Sequence, residues 1–394
     1  MSDIYNIAIL STTEVREAVE RNIERDASAV ALDRRVPHSS VVATQIKYLQ
    51  RARRKLPRMY EARCIIPPRA FEQSSSEESA ERKPMSGGSV LDLTCGLGVD
   101  TMALARRFER VVSLERDEAL AEVVRYNLDL MGITNVTVVS SSAEEYVAEC
   151  SERFDWVFVD PDRRSAEGNK MVCLEDCSPN IVALMPKLRD IALRIAIKLS
   201  PMFDCAEAFR LLSPAEVEVV SLGGECKELN IYTGAERDML RIAVVGSGEW
   251  CFEPEAMHAT PNGGSVEGGD WRYLHLPDVA LQKARVAIAQ LAPYASIWSN
   301  NGFALSREPL PCDLGCRSYE IVSIEEYRPK ELKRRYKGKG IDLIKRDTTL
   351  SVDAVRKALG ARAGSEELMA ITAINGVNYV ITLKNRQLQP NIWI

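Results

Sequence analysis

The sequence predicts an α/β protein whose central part is a doubly wound, parallel β-sheet. Short apolar runs of strand length alternate with segments of helical periodicity from residue 89 to residue 198, as is typical of parallel strands joined by crossover helices. Of the 394 residues, 46% are hydrophobic and 27% are charged, a composition that supports several packed cores. No apolar run approaches the ~18 residues of a membrane span. We therefore expect a soluble protein of more than one domain.

The first 84 residues are predicted to form a helical region. Helical patterns cover residues 12–26 and 39–54, and a proline-broken connector follows at residues 64–69. The Ser/Glu-rich stretch FEQSSSEESAERK comes next and is predicted to be a loop that enters a serine-capped helix.

Residues 85–250 are predicted to form a Rossmann-like domain. Its predicted elements are, in chain order, a strand at 89–94, a helix at 100–108, a strand at 110–115, a helix at 117–131, a strand at 135–140, a helix at 143–150, a strand at 156–160, a helix at 179–188 and a strand at 193–198. After them, two segments that flank Gly223-Gly224 predict an antiparallel pair, and residues 241–245 are predicted to finish the sheet.

A glycine-rich linker at residues 253–269 separates this domain from two smaller predicted units, at 270–325 and 326–394. The first unit is predicted to contain an amphipathic helix at residues 279–291. The second contains two strands around Asn375-Gly376, a dipeptide typical of tight hairpin turns. Both units are therefore predicted to be small α+β domains.

Cysteine and histidine usage argues against a metal centre. The ten cysteines include no CxxC pair, and the three histidines are scattered along the chain. Neither a zinc site nor a histidine-based catalytic site is therefore predicted. The N-terminus lacks the basic and apolar segments of a signal peptide, which predicts a cytoplasmic protein with reduced thiols.

Basic residues are concentrated in two stretches of a chain whose net charge is −5. Residues 44–60 contain six Lys or Arg and no acid, and residues 328–346 contain nine against two acids. Such stretches indicate anion-binding surfaces. The alternative is a solvated helix face that acids elsewhere in the fold balance.

A glycine turn ends the first predicted strand of the parallel sheet. Gly96 and Gly98 follow Asp92 in the stretch VLDLTCGLG. Glycines let the backbone approach a ligand closely, and the start of the next helix favours polar or anionic groups. Thr101 occupies the position where a dinucleotide fingerprint requires its third glycine, so a dinucleotide site is not predicted. The alternative is that Asp92 only caps a turn.

A second motif, DPDRR, follows the predicted strand at 156–160. Asp160 and the backbone after Pro161 can accept the hydrogens of an exocyclic amine, and the Arg163 guanidinium can stack on a base or grip a phosphate. The alternative is a local ion pair of Asp162 with Arg163 or Arg164 that shapes the loop.

The glycine turn, with Asp92 before it and Glu115 at the end of the next strand, resembles the cofactor motif of class I S-adenosylmethionine-dependent methyltransferases. The resemblance implies that Asp92 lies near the methionine part of the cofactor and that the Gly96–Gly98 turn passes beneath it. It also implies that Glu115 holds the ribose hydroxyls. Further cofactor-binding candidates are Thr94, Asp100, Arg116, Ser142 and Ala143; the last two stand where the family often has an acid near the adenine.

The motifs DLTCGLGVD, EQSSSE, DPDRR and KLSPM together resemble a bacterial group of these methyltransferases with a C-terminal THUMP-like domain. The resemblance implies a Rossmann-like methyltransferase domain, a ferredoxin-like unit at 270–325 and a THUMP-like domain at 326–394. It further implies methylation of structured RNA, tRNA or rRNA, with S-adenosylmethionine as the cofactor. The composition, for its part, predicts neither a metal nor a membrane as a partner. Asp160, Pro161 and Arg163 are the predicted catalytic residues.

The predicted substrate-binding residues are those that can meet a base or a phosphate: Arg163, Arg164, Lys198, Gln73, Lys333, Arg334, Arg335 and Lys337. A base nitrogen is the expected acceptor, because carbon methylation of a pyrimidine needs a cysteine nucleophile and residues 160–164 contain none. Two alternatives stay open. One is a methyltransferase that acts on a small molecule or a protein, and the other is a non-catalytic protein that binds the cofactor or RNA.

Overall fold

The computed structural model describes residues 7–163, 174–267 and 269–387. The chain divides into two compact units. One comprises Met1–Lys198 and Tyr232–Gly234, and the other comprises Leu199–Ile231 and Ala235–Ile394. The division falls inside the predicted domain at 85–250, and the predicted domain boundaries stay predictions. Within the described ranges, no helix is long and apolar enough to cross a membrane.

Helices precede the parallel strands of the first unit, as predicted. They are α1 (Ile7–Leu10), α2 (Thr13–Asn22), α3 (Ala27–Leu32), α4 (Ser39–Lys55), α5 (Pro57–Glu61), α6 (Pro68–Gln73) and α7 (Glu77–Glu81). The Thr12 side chain caps α2, and the Ser76 side chain caps α7 by accepting a hydrogen bond from the Ser79 N–H at 3.1 Å. The predicted serine-capped helix in the Ser/Glu-rich stretch is therefore confirmed.

The first unit contains the predicted parallel sheet. Its strands are β1 (Gly87–Asp92), β2 (Phe108–Glu115), β3 (Val136–Ser140), β4 (Phe154–Val159) and β7 (Ala192–Leu199), and a short antiparallel pair, β5 (Asp162–Arg163) with β6 (Cys177–Ser178), lies between β4 and β7 in the chain. The order β3-β2-β1-β4-β7 is parallel throughout. The connecting helices are α8 (Val99–Leu104), α9 (Glu118–Leu130), α10 (Ala143–Glu149) and α11 (Ile181–Ile191).

The register of these strands brings their last residues to one edge of the sheet. Asp92 lies beside Ser113 of β2 and beside Phe158 of β4. Glu115, the last residue of β2, and Asp160, the residue after β4, each come two residues after these partners of Asp92, so both extend beyond the same edge. The strand order reverses at β1, between β2 and β4, and ligands of open α/β sheets bind at such a point.

The second unit begins with helix α12 (Cys205–Leu212), which we did not predict, and strands β8 (Ala215–Leu222), β9 (Glu225–Thr233), β10 (Met239–Val244) and β11 (Gly248–Phe252). Strand β10 pairs with β8 in parallel and with β11 in antiparallel orientation. Gly223 and Gly224, with φ of 62° and 78°, form the predicted turn between β8 and β9. A 3-10 helix at Pro254–His258 follows.

The rest of the second unit is one mixed sheet with helices. Its strands are β12 (Tyr273–Pro277), β13 (Ser296–Ile297), β14 (Ala304–Ser306), β15 (Cys316–Glu326), β16 (Gly340–Lys345), β17 (Arg362–Ala363), β18 (Glu367–Ile374) and β19 (Val377–Gln387), and its helices are α13 (Val279–Lys283), α14 (Ala287–Leu291), α15 (Pro329–Tyr336) and α16 (Val352–Leu359). The predicted boundary between residues 325 and 326 falls inside β15, which pairs with both β12 and β19. The predicted helix at 279–291 is interrupted at Arg285, which has a φ of 58°.

Candidate active site

A cavity of about 630 Å³ lies in the first unit at the carboxyl ends of β1, β2 and β4. The glycine turn and the ends of β2 and β4 form one part of its wall. Helix α6, which ends at Gln73, and the two residues after it, Ser74 and Ser75, form another. The predicted cofactor and acceptor motifs therefore share one cavity.

The Asp92 side chain stabilises the glycine turn through hydrogen bonds. The side chain is buried and accepts hydrogen bonds from the Thr94 N–H at 3.0 Å, the Thr101 hydroxyl at 2.6 Å and the Ser113 hydroxyl at 2.7 Å. Burial raises the pKa of Asp92 to about 6, although the three donors favour its charged form. Asp92 does not line the cavity, so in this structure it supports the turn.

The turn itself needs glycine at two positions for different reasons. Gly96 has a φ of 54° and lines the cavity, and a Cβ atom there would meet nothing within 4 Å. Gly98 has a φ of 81°, and a Cβ atom there would lie 3.0 Å from Val124 Cγ1. Gly96 thus leaves the cavity open, whereas Gly98 allows the turn to pack on α9.

Glu115 is fixed by backbone donors at the wall of the cavity. Its Oε2 accepts a hydrogen bond from the Gly96 N–H and its Oε1 from the Asp117 N–H, both at 2.9 Å. Burial raises the pKa of Glu115. A carboxylate oxygen has two lone pairs, so both oxygens retain capacity to bind a diol in the cavity.

Five other predicted cofactor-binding residues also line the cavity: Thr94, Asp100, Arg116, Ser142 and Ala143. Ser142 caps α10, because it accepts from the Glu145 N–H at 3.2 Å and donates to Glu145 Oε2 at 2.7 Å. Arg116 is exposed and donates to the Ser178 hydroxyl at 3.3 Å. Contact of these residues with the cofactor stays a prediction.

Asp160 lines the cavity, and its two carboxylate oxygens differ in their hydrogen-bond partners. Its Oδ2 accepts a hydrogen bond from Lys198 Nζ, while Oδ1 has no hydrogen-bond partner within the described part of the chain. Its N–H donates to Thr94 Oγ1 at 2.7 Å, which ties the end of β4 to the glycine turn. Burial raises the pKa of Asp160 more than the Lys198 ammonium lowers it. Pro161 is buried behind it.

Asp160 belongs to an ionic cluster that the sequence analysis did not foresee as a unit. Lys198 Nζ also donates to the Ser75 hydroxyl at 2.6 Å and lies 3.4 Å from Asp100 Oδ2. Asp100 accepts from the Ser75 hydroxyl and from Lys83 Nζ, each at 2.7 Å. Burial alone would raise the pKa of Asp100, but the ammonium groups of Lys198 and Lys83 outweigh it and hold that pKa well below its usual range.

The predicted substrate-binding residues are only partly described. Gln73 is exposed and lines the cavity. The backbone of Arg163 lies in β5, but the side chain of Arg163 and all of Arg164 lie outside the described residues. Asp162 and Arg69, which the sequence analysis did not single out as site residues, are exposed at the cavity wall.

In the second unit, the predicted RNA-binding residues lie on or just after α15. Lys333, Arg334 and Lys337 are exposed and, in the part of the chain that is described, make no ion pair. Arg335 differs from them, because its guanidinium donates to Glu325 Oε1 at 2.6 Å.

Comparison with known proteins finds family models that match two parts of the chain. The model of the family described as conserved hypothetical protein 95 matches residues 71–174. The model of the THUMP domain-like family matches residues 316–384. The first range contains the glycine turn and Asp160, and the second contains the basic helix α15.

Individual relatives extend the similarity over most of the chain. An uncharacterised S-adenosylmethionine-dependent methyltransferase of Mycobacterium tuberculosis is 25% identical over 77% of this chain and 83% of its own length. A 23S rRNA (uracil(1939)-C(5))-methyltransferase of Cronobacter sakazakii is 44% identical, but over only 21% of this chain and 20% of its own length. A crystal structure from Porphyromonas gingivalis W83, assigned as a methyltransferase, has a TM-score of 0.82 and 23% identity, and covers 98% of this chain and 99% of that one.

These comparisons confirm the predicted fold class and the resemblance to S-adenosylmethionine-dependent methyltransferases with a C-terminal THUMP-like domain. They also confirm the predicted class of enzyme and its cofactor.

Proposed function

We propose that this chain, an S-adenosylmethionine-dependent methyltransferase with a C-terminal THUMP-like domain, methylates a base nitrogen in structured RNA, either tRNA or rRNA. The observation that carries the proposal is the shared cavity, which is lined by the glycine turn, Glu115 and Asp160. The same cavity therefore offers room for the cofactor and a strand-end carboxylate that can bind an amine.

The residues of the cavity fit the cofactor. S-adenosylmethionine supplies a methyl group on a positively charged sulfur, together with a ribose diol and an adenine. Glu115 would hold the diol, because its carboxylate is oriented by two backbone N–H groups and its remaining lone pairs are available. Gly96 would leave room for the cofactor, since a Cβ there would meet open space.

Asp160 would orient the acceptor. Methyl transfer depends mainly on holding the nucleophile close to the methyl group and in line with it. Oδ1 of Asp160 can accept a hydrogen of an exocyclic amine, because Lys198 occupies only Oδ2. The amine lone pair can then face the methyl group. The nitrogen that gains the methyl group must release a proton, and Asp160 is the strand-end carboxylate suited to accept it.

Two observations support RNA as the substrate. A relative that matches a fifth of the chain methylates 23S rRNA, and the THUMP-like family model covers the basic helix α15. Lys333, Arg334 and Lys337 make no ion pair within the described residues, so they can contact phosphates.

The described cysteines near the cavity favour nitrogen over carbon as the atom that accepts the methyl group. Carbon methylation of uracil, the reaction named for the rRNA-modifying relative, needs a reactive thiolate. Burial raises the pKa of the Cys95 thiol to about 12, and Cys177 is also buried. Cys173 lies outside the described residues and is the cysteine to exclude by experiment.

The test is to identify the methylated nucleoside. Purified protein would be incubated with labelled S-adenosylmethionine and with total tRNA or total rRNA from cells lacking the gene, and the digested nucleosides analysed by mass spectrometry. We expect an N-methylated base from the wild type and equally from the Cys173→Ser variant. A C5-methylated uridine that disappears in Cys173→Ser would contradict the nitrogen assignment. Label in a small molecule or in protein, and none in RNA, would contradict the RNA assignment.

A further inference from the structure

The basic stretch at residues 44–60 folds into α4 with four cations on one face. Their spacing of four, seven and eight residues from the first places them together on a helix: Lys47, Arg51, Arg54 and Lys55. The opposite face of α4, which includes Ile46 and Leu49, is buried. The cations are therefore on the side of the helix that faces away from the core.

Helix α6 connects this face to the cavity. The Arg51 guanidinium lies 5.0 Å from the centroid of the Phe71 ring, and Lys55 Nζ donates to the Phe71 carbonyl at 2.7 Å. Arg69 and Gln73, also on α6, line the cavity. An α-helix with its side chains is about 10 Å across, so the basic face of α4 lies roughly one helix diameter from the cavity wall.

The charge on this surface is mostly uncompensated. Glu72 forms an ion pair with Arg51. Lys47, Arg54 and Arg69 are exposed and form no ion pair in the described ranges. Lys47 is nevertheless close enough to Glu72 to add to the lowering of the Glu72 pKa that the hydrogen bond from Arg51 mainly causes. Tyr48 lies beside the face, 5.3 Å from the Arg51 guanidinium and 5.8 Å from Lys47 Nζ. Cations beside an aromatic ring that outnumber the acids around them are the pattern of a nucleic-acid backbone site.

We propose that Lys47, Arg51, Arg54, Lys55 and Arg69, which we call the α4–α6 surface, bind phosphates of the RNA strand that flanks the nucleotide in the cavity. The inference rests on the proposed function, because it takes RNA to be the substrate. Phosphate contacts fix the register of a nucleic acid on a protein. The α4–α6 surface would thus set which nucleotide of the strand enters the cavity, within the same compact unit that performs the chemistry.

The experiment compares two charge-reversed proteins. Lys47→Glu with Arg54→Glu alters two exposed cations of the surface without touching the cavity wall. Lys187→Glu with Arg189→Glu is the matched control, because both cations are exposed on α11, unpaired within the described residues, and lie at the far end of that helix from the cavity. Binding of total tRNA and total rRNA from cells lacking the gene would be measured over a series of salt concentrations, together with KM for methyl transfer.

We expect the α4 variant to bind RNA at least ~10-fold more weakly and to have a correspondingly raised KM. Loss of two phosphate contacts should make the slope of log K against log salt less steep by about 1.5. The control should match the wild type, and both variants should retain wild-type affinity for S-adenosylhomocysteine.

Wild-type RNA affinity and salt slope in the α4 variant, in a protein that does methylate RNA, would overturn this inference and leave the proposed function standing. An equal loss in the α11 control would also overturn it, because the effect would then be one of net charge. If the wild type methylated no RNA, the proposed function and this inference would fall together.

Discussion

At the scale of single residues, the Asp160 carboxylate combines two tasks. Its Oδ2 accepts a hydrogen bond from Lys198, and its Oδ1, which has no hydrogen-bond partner within the described residues, is the oxygen that we propose for binding the acceptor. The residues at strand ends could be predicted from the sequence, because Asp92, Glu115 and Asp160 each follow an apolar run. Lys83 and Ser75 could not, because their common partner, Asp100, lies 17 and 25 residues away and no local pattern joins them.

Asp160→Ala should reduce kcat for methyl transfer by at least ~100-fold, since positioning of the acceptor is lost. Affinity for S-adenosylhomocysteine, measured by calorimetry, should stay within a few-fold of wild type, because Glu115 and the glycine turn are unchanged. A variant with normal turnover would show that Asp160 does not position the acceptor.

Lys198→Met should shift the acid limb of the pH–rate profile to higher pH. The Lys198 ammonium lowers the pKa of Asp160 against the effect of burial, so without it the carboxylate is protonated up to a higher pH. Lys198→Arg, which keeps a cation, is the matched control and should preserve the profile. An unchanged profile in Lys198→Met would mean that Lys198 has no influence on the protonation of the active carboxylate.

Asp92→Asn should alter the pH dependence of stability. The pKa of Asp92 is raised from 3.8 to about 6, so the folded state holds this proton more tightly than the unfolded state. That contribution is fully present below pH ~4 and is lost as the pH rises through 6, a change of about 3 kcal/mol. Urea unfolding should therefore show Asp92→Asn gaining stability relative to wild type between pH 4 and pH 7. The exposed Asp129→Asn is the control; a similar gain there would refute the assignment.

At the scale of elements, the two glycines of one turn have different surroundings, since Gly96 lines the cavity and Gly98 packs against Val124 of α9. Alternating apolar and helical segments made the parallel strands and their helices predictable. The break between α13 and α14 was not, because the amphipathic pattern runs through Arg285 without a glycine or proline to mark its positive φ.

Gly96→Ala should mainly reduce ligand affinity, whereas Gly98→Ala should mainly reduce stability. Both must hold alanine at positive φ, at a cost of about 1–2 kcal/mol. Gly98→Ala also brings a Cβ to 3.0 Å from Val124, so its free energy of unfolding should fall further. Gly96→Ala places a methyl group at the cavity wall, so it should lose more affinity for S-adenosylhomocysteine, at least ~10-fold. Chemical denaturation and calorimetry would measure both; the reverse ranking would contradict these roles.

At the scale of the whole molecule, the predicted cofactor-binding residues and the basic helix α15 lie in different compact units. The α+β character of the C-terminal region was predictable from its hairpin and helices. Its single sheet was not, because pairing of β15 with β12 and with β19 joins strands far apart in the chain.

Reversing the charge of Lys333, Arg334 and Lys337 together should weaken RNA binding by at least ~10-fold and make the salt slope less steep by about 2–3. The control carries Lys333→Arg, Arg334→Lys and Lys337→Arg, which keep the charge and should preserve the affinity for RNA. Filter binding at several salt concentrations would measure both proteins. If the charge-reversed protein bound RNA like the wild type, α15 would have no part in RNA recognition.

Methyl transfer to RNA in the cavity next to Asp160 is the proposal on which the other assigned roles depend. Its most direct test is transfer of a labelled methyl group from S-adenosylmethionine to RNA of cells lacking the gene, by wild type and by Asp160→Ala. We predict label in tRNA or rRNA with the wild type and at least a ~100-fold slower rate with the variant. No label in either RNA fraction with the wild type, or equal labelling by both proteins, would contradict the claim.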